Sequence, residues 1–171
     1  EGMRRKVTLI AMPASGKSTL GEKVAEKRGF TLVDVDRIIE AEEKRLLKEI
    51  IADEGDDGFL AIENRINAGL QMENCVIAPG GSVIYGAEAM EHLREISVVV
   101  YLKLDFEEME RRIGDPVARG VVLKNGMTLR KLYDERTPYY ERYADIVFDE
   151  AELSAEESAG RLAELVREHF R

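Results

Sequence analysis

Apolar and polar positions along this chain follow two rhythms, and the two alternate. Short apolar runs fall at 7–12, 31–35, 75–78, 96–102 and 146–148, and each reads as a strand. Val98, Val99 and Val100 stand in a row, which predicts a strand buried on both faces. Between the runs, apolar residues recur at helical spacing over 18–28, over about 37–53 with a break near 44–46, and over 59–72. Asp105 and Glu108 form a helix-start pair ahead of Met109 and Ile113, and Ser154 with Glu157 forms a capping box. Behind that box Ala155, Ala159, Leu162, Ala163, Val166 and Phe170 share one helical face, so the last helix packs on the sheet. The alternation predicts an α/β domain with a five-stranded parallel sheet flanked by helices. Residues 114–126 break the pattern with Gly, Asp-Pro and Asn-Gly signals, and they predict a mobile loop.

Composition narrows the function classes. The chain has 171 residues, 44% of them hydrophobic, which suits one domain, 1–171, with a substantial core. No internal repeat, low-complexity tract or linker divides it. Lys plus Arg is 25 against 34 Asp plus Glu, and the net charge of −9 argues against a general nucleic-acid binder. A small anionic ligand is still compatible, because a pocket can be positive on an acidic protein. Cys75 is the only cysteine, which excludes an intrachain disulfide and a cysteine zinc site. His92 and His169 are too few and too far apart for a metal cluster. No apolar stretch is long enough to span a membrane and no signal-peptide pattern precedes the first motif, so a cytoplasmic protein without a membrane partner is expected. Glu1-Gly2 ahead of Met3 reads as an expression remnant.

The strongest chemical signal is Ala11-Met12-Pro13-Ala14-Ser15-Gly16-Lys17-Ser18-Thr19, between a predicted strand and a predicted helix. Successive backbone N–H groups over Ala14, Ser15, Gly16, Lys17, Ser18 and Thr19 at a helix N-terminus form a nest for phosphate oxygens. Lys17 adds a point charge for the β- and γ-phosphates, and the Ser18 hydroxyl is placed to ligate Mg²⁺. Such loops normally begin with Gly; here the position is Ala11, which is acceptable where φ is negative. The loop predicts binding of ATP with Mg²⁺.

Further along, Asp34-Val35-Asp36 ends the second strand, two carboxylates that can serve a metal shell and a substrate hydroxyl or simply cap a helix. Ala78-Pro79-Gly80-Gly81-Ser82 follows the third strand, and glycines there let backbone approach a ligand. Arg112 and Arg119 flank and enter the mobile segment, and Arg136-Thr137-Pro138-Tyr139-Tyr140 follows it. An arginine grips a planar carboxylate better than a lysine does. From the phosphate loop onward this order of motifs resembles the shikimate kinases, small P-loop kinases that phosphorylate the 3-hydroxyl of shikimate. The resemblance covers roughly residues 7–170. It implies a P-loop kinase fold with a lid over about 114–126. It implies Asp34 behind the Mg²⁺ water shell, and Asp36 on the substrate hydroxyls and as a candidate base. It further implies Gly80 and Gly81 against the substrate, Arg112 against the adenine, Arg119 on the transferred phosphoryl group and Arg136 on the substrate carboxylate. The implied catalytic set is Lys17, Asp36 and Arg119. The implied partner is a small metabolite, with no nucleic acid and with a monomer favoured.

The chain departs from that family at four places: Ala11, Leu60, Ser82 and Gly120. The family pattern Phe-Arg-x-x-Glu reads Phe59-Leu60-Ala61-Ile62-Glu63 here, so a second arginine on the carboxylate is missing and Glu63 loses its partner. One lost charge-assisted hydrogen bond is worth roughly 1.5–3 kcal/mol. The third of three family glycines is Ser82, and the proline after the lid arginine is Gly120. A gluconate-type or other polyol kinase, and a nucleotide-binding regulatory protein without phosphotransfer, stay open on the sequence alone.

Overall fold

The computed structural model describes residues 6–114, 127–149 and 153–170. In chain order it contains β1 (Lys6–Ile10), α1 (Lys17–Arg28), β2 (Thr31–Asp34), α2 (Val35–Glu43), α3 (Leu47–Ala68) and β3 (Cys75–Ala78). A 3-10 turn (Gly81–Tyr85) leads into α4 (Ala87–Ile96), β4 (Val98–Lys103), α5 (Phe106–Ile113), α6 (Leu129–Tyr143), β5 (Ile146–Asp149) and α7 (Ala155–His169). The strands form one sheet in the order β2-β3-β1-β4-β5, and every pairing is parallel. Strand order therefore reverses at β1, and the crevice at the carboxyl end of β1 is where open parallel sheets bind ligands.

Period-two alternation divides the core into two layers. Val7, Leu9, Val76, Val98, Val100 and Leu102 pack against α1 and α7. Ile10, Ile77, Val99 and Tyr101 face the opposite layer, built by α2 to α6. Val98, Val99 and Val100 are buried, on both faces as their run predicts. Thr8 is the polar exception in β1; its hydroxyl bonds to Ser97 Oγ at 2.7 Å, and Ser97 in turn donates to the Leu93 carbonyl. These two buried hydroxyls thus both have partners.

The helix boundaries differ from the hydrophobic pattern in instructive ways. The predicted break near 44–46 is present: Lys44 ends α2 at φ 56, and the Glu49 carboxylate takes the Leu46 N–H at the start of α3. The stretch 59–72 is not a separate helix, because α3 runs through to Ala68 with a kink at Gly55 (φ 76, ψ 176). β1 stops at Ile10 rather than Met12, Val35 opens α2, and Ile96 closes α4 rather than opening β4. The pattern does not single out α4, although Ala89, Met90 and Leu93 make it amphipathic. Asp105 N-caps α5 without a side-chain bond, and Glu108 is occupied by Arg111 instead of reaching back. The Ser154–Glu157 capping box forms as predicted, with bonds of 3.1 and 3.2 Å. The segment 115–126, most of the predicted lid, and Glu1-Gly2 lie outside the described residues.

Helix α1 must lie close to the sheet to put its N-terminus over β1, and Gly21 permits this. A Cβ there would sit 3.1 Å from Leu32 Cδ1 and 3.2 Å from Leu9 Cδ1. Gly21→Val is expected to lower stability by about 1–3 kcal/mol, the usual penalty of overpacking, read as a lower midpoint in urea unfolding.

Candidate active site

The phosphate loop leaves the carboxyl end of β1 with Ala11 and Met12 buried and turns into α1. Gly16 N-caps that helix at φ 81, a left-handed position that a side chain would strain. Ala11 avoids the left-handed region, whereas Ala14 sits in it at φ 65, a strained conformation for a residue with a Cβ. Ser18 and Thr19 are exposed in the first turn of α1. A cavity of about 260 Å³ is lined by residues 11–19 and Gly81. A second, of about 550 Å³, shares Ser15, Gly16 and Thr19 with it and extends to Arg112 and Asp149. Arg112 holds its place there by donating to the Ala14 carbonyl at 3.3 Å and facing Glu108 at 3.7 Å. The loop therefore stands between two cavities.

Lys17 turns toward the acidic side. Its ammonium donates to the Pro79 carbonyl, and the charges nearest it are Asp36, Asp34, Glu63 and Arg136. Burial pulls its pKa below the usual lysine value, against the upward pull of the three carboxylates. Asp34 Oδ1 accepts the Asp36 N–H at 3.1 Å, so the cap reading of this residue is realised; its Oδ2 lies 3.9 Å from Arg37 Nε. Burial pushes the Asp36 carboxyl up, and Lys17 opposes the shift. No group of three acidic, histidine or cysteine side chains is placed to hold a metal among the described residues. Mg²⁺ needs none, since it keeps several waters and uses one or two protein oxygens plus substrate phosphates. Ser18 and Asp34 fit that sparse demand.

Arg136 is the largest fully buried side chain, 2% exposed on α6. Its Nε donates to Tyr85 Oη at 3.4 Å and its guanidinium lies 5.4 Å from the Tyr85 ring centre. No carboxylate pairs with it among the described residues. Tyr140, one turn later, stacks on Tyr101 at 5.1 Å and donates to the Gly81 carbonyl at 2.6 Å. Burial pushes its phenol up to about 12, so it stays a neutral donor. Two glycines make room for all this. A Cβ at Gly81 would lie 2.9 Å from Arg136 Nη1, and one at Gly80 would lie 3.0 Å from Asp36 Oδ1 and 3.1 Å from Glu63 Oε2.

Lys17, Asp34, Asp36, Gly80, Gly81 and Arg136, spread over more than a hundred residues of sequence, thus converge at the carboxyl end of the sheet. Arg112 lies apart from them, on the far cavity, and Arg119 lies outside the described residues. Two residues escape the motif reading. Tyr85 is the guanidinium's ring partner, and Glu63, noted only for a lost partner, is buried beside Asp36 with Ser82 Oγ donating to its Oε1 at 2.7 Å. The polar Ser82 in a glycine-rich turn is the one signal that could have linked them.

Comparisons with known proteins agree with this geometry. The family model for shikimate kinase matches residues 13–167. A shikimate kinase of Thermobifida fusca is 32% identical over 162 residues, covering 94% of each chain. One from Persephonella marina is 34% identical over 143 residues, 83% of this chain and 87% of the relative. Among solved structures, a shikimate kinase of Acinetobacter baumannii in complex with shikimate superposes with a TM-score of 0.88 at 26% identity, covering 98% of this chain and 96% of that one. A shikimate kinase of Aquifex aeolicus gives 0.82 at 26% identity, with 96% and 97% covered. The chain belongs to the shikimate kinase family of ATP-dependent kinases, which transfer a phosphoryl group to an alcohol.

Proposed function

We propose that this chain transfers the γ-phosphoryl group of ATP to the 3-hydroxyl of shikimate, with Mg²⁺. The observation that carries the acceptor is Arg136: a buried guanidinium, always charged, without a carboxylate partner among the described residues and with its Nη1 against Gly81. Burying an unpaired cation is costly, and an incoming carboxylate offsets that cost with a charge-assisted bond. The superposed Acinetobacter baumannii relative carries shikimate, an acid with several hydroxyls, which supports the same acceptor here.

Each remaining residue then has a part. Backbone amides of Ala14 to Thr19 and the Lys17 ammonium hold the phosphates; Arg112 borders the cavity that suits the nucleoside. Ser18, with Asp34 behind a water shell, would hold Mg²⁺. The ion, when bound, neutralises charge on the β- and γ-phosphates. Asp36 orients the acceptor hydroxyl and takes its proton, and Gly80 and Gly81 let the acceptor lie against backbone. Arg119 is assigned to the transferred group by family resemblance alone.

Two substitutions test the reading. Lys17→Ala is expected to lower phosphoryl transfer by about 10²–10³-fold, the loss typical of one preorganised charge, while the unfolding transition stays cooperative. ADP formation at the parent's rate would overturn the assignment. Leu60→Arg restores a second guanidinium one turn from Glu63 and is expected to tighten shikimate about tenfold in calorimetric titration at fixed salt. Weaker or unchanged binding would show that the acceptor carboxylate does not lie near Leu60.

A further inference from the structure

Glu63 has no part in the reading above, yet its surroundings are unusually specific. It lies on α3, is 2% exposed, and accepts the Ser82 hydroxyl at Oε1. Its Oε2 is buried without a hydrogen-bond partner among the described residues. A bare carboxylate oxygen in such a place is expensive. A neutral carboxylic acid removes the expense, because the protonated oxygen becomes a donor. Ser82 decides which oxygen that is: Oε1 accepts, so the proton falls on Oε2. Across Gly80 stands Asp36, whose Oδ1 and Glu63 Oε2 lie 3.0 and 3.1 Å from the point where a Cβ would be. Gly80 leaves that space open. The charged groups facing Glu63 are Asp36 from α2, Arg136 from α6 and Lys17 from α1, while Leu60, three residues earlier on its own helix, brings no charge. Burial pushes the Glu63 carboxyl up to about 7; Asp36 adds to the shift, and Ser82, Arg136 and Lys17 oppose it.

We infer that Glu63 is a positioning residue carried as the neutral acid, its Oε2–H donating across Gly80 to the Asp36 carboxylate and aiming that carboxylate at the acceptor hydroxyl. The inference rests on Asp36 facing the acceptor. The neutral form is half populated near pH 7, becomes complete well below that value and is lost above it. The contribution of Glu63 to acceptor turnover therefore fades as pH rises through that value.

The test compares Glu63→Ala and Glu63→Gln across a pH series, with shikimate as the acceptor. Gln keeps an acceptor for Ser82 and a donor for Asp36 and does not titrate. Glu63→Ala is expected to lower kcat/KM for shikimate about tenfold or more at low pH, with KM for ATP unmoved. Glu63→Gln is expected to recover most of that loss and to lack the parent's decline near neutrality. The parent should also show the infrared carbonyl stretch of a protonated carboxylic acid that Glu63→Gln lacks, which decides the matter if Glu63→Ala does not fold. Gln as damaging as Ala, an unchanged decline in the Gln profile, or an active parent without the infrared band would overturn the inference. A parent that shows the band but does not turn over shikimate would overturn the acceptor reading and, with it, the positioning role.

Discussion

The site is organised around one electrostatic constraint: Glu63 is buried and Asp36 half-buried at the carboxyl edge of the sheet, Asp34 stands beside them, and the charges of all three act on Lys17. Asp34, Asp36 and Glu63 all raise the affinity of Lys17 for its proton, and Arg136 opposes them. In a low dielectric such charges must balance or neutralise. With Glu63 neutral, Asp34 and Asp36 act on Lys17, and Arg136 is left without a carboxylate partner among the described residues. The loop amides and α1 then add a positive field on the side where phosphates bind. A chain of net charge −9 can take a polyanion there because the local field of Lys17, the loop amides and the helix terminus, not the net charge, acts on it.

The fold supplies the convergence through two kinds of strut. Strand order reverses at β1, which sets the phosphate loop in the crevice between β3 and β4. Helix α6 is the other strut. Tyr133 donates to the Leu104 carbonyl at 2.8 Å, Tyr140 to the Gly81 carbonyl, and at the end of the helix Asp145 exchanges two hydrogen bonds with Val99. These ties explain how α6 keeps its register despite Pro138 in its interior, which removes one backbone donor. They also fix Arg136 against the glycine turn with little freedom left to lose on binding.

How much of this is legible in the sequence depends on whether the cause is local. The phosphate loop is contiguous, so its strand, turn and helix are all visible in nine letters. The parallel sheet is legible from the valine run of β4, and the last helix from its capping box. Arg136 is found through resemblance; that it is buried depends on Tyr85 and Tyr140 closing over it, which no spacing rule reveals. Helix α4 stays hidden because its apolar face is short and is defined by packing against α3. The failed Asp105–Glu108 pair has a local explanation, since Arg111 competes successfully for the same carboxylate.

Leu60 and Ser82 look, in sequence, like two independent losses, and the structure makes them parts of one change. Both adjoin Glu63, one as a position three residues earlier on its helix and the other as its hydrogen-bond donor. A guanidinium at position 60 would keep Glu63 ionised and leave no need for a hydroxyl at 82. A leucine there withdraws the cation, and Ser82 then supplies a neutral donor in its place. On the proposed function the cost falls on acceptor recognition, which is left to Arg136. The gain is that Glu63 can carry a proton beside Asp36, a state that an adjacent arginine would forbid. On this account the chain has exchanged part of its grip on the acceptor's carboxylate for firmer control of the group that meets its hydroxyl.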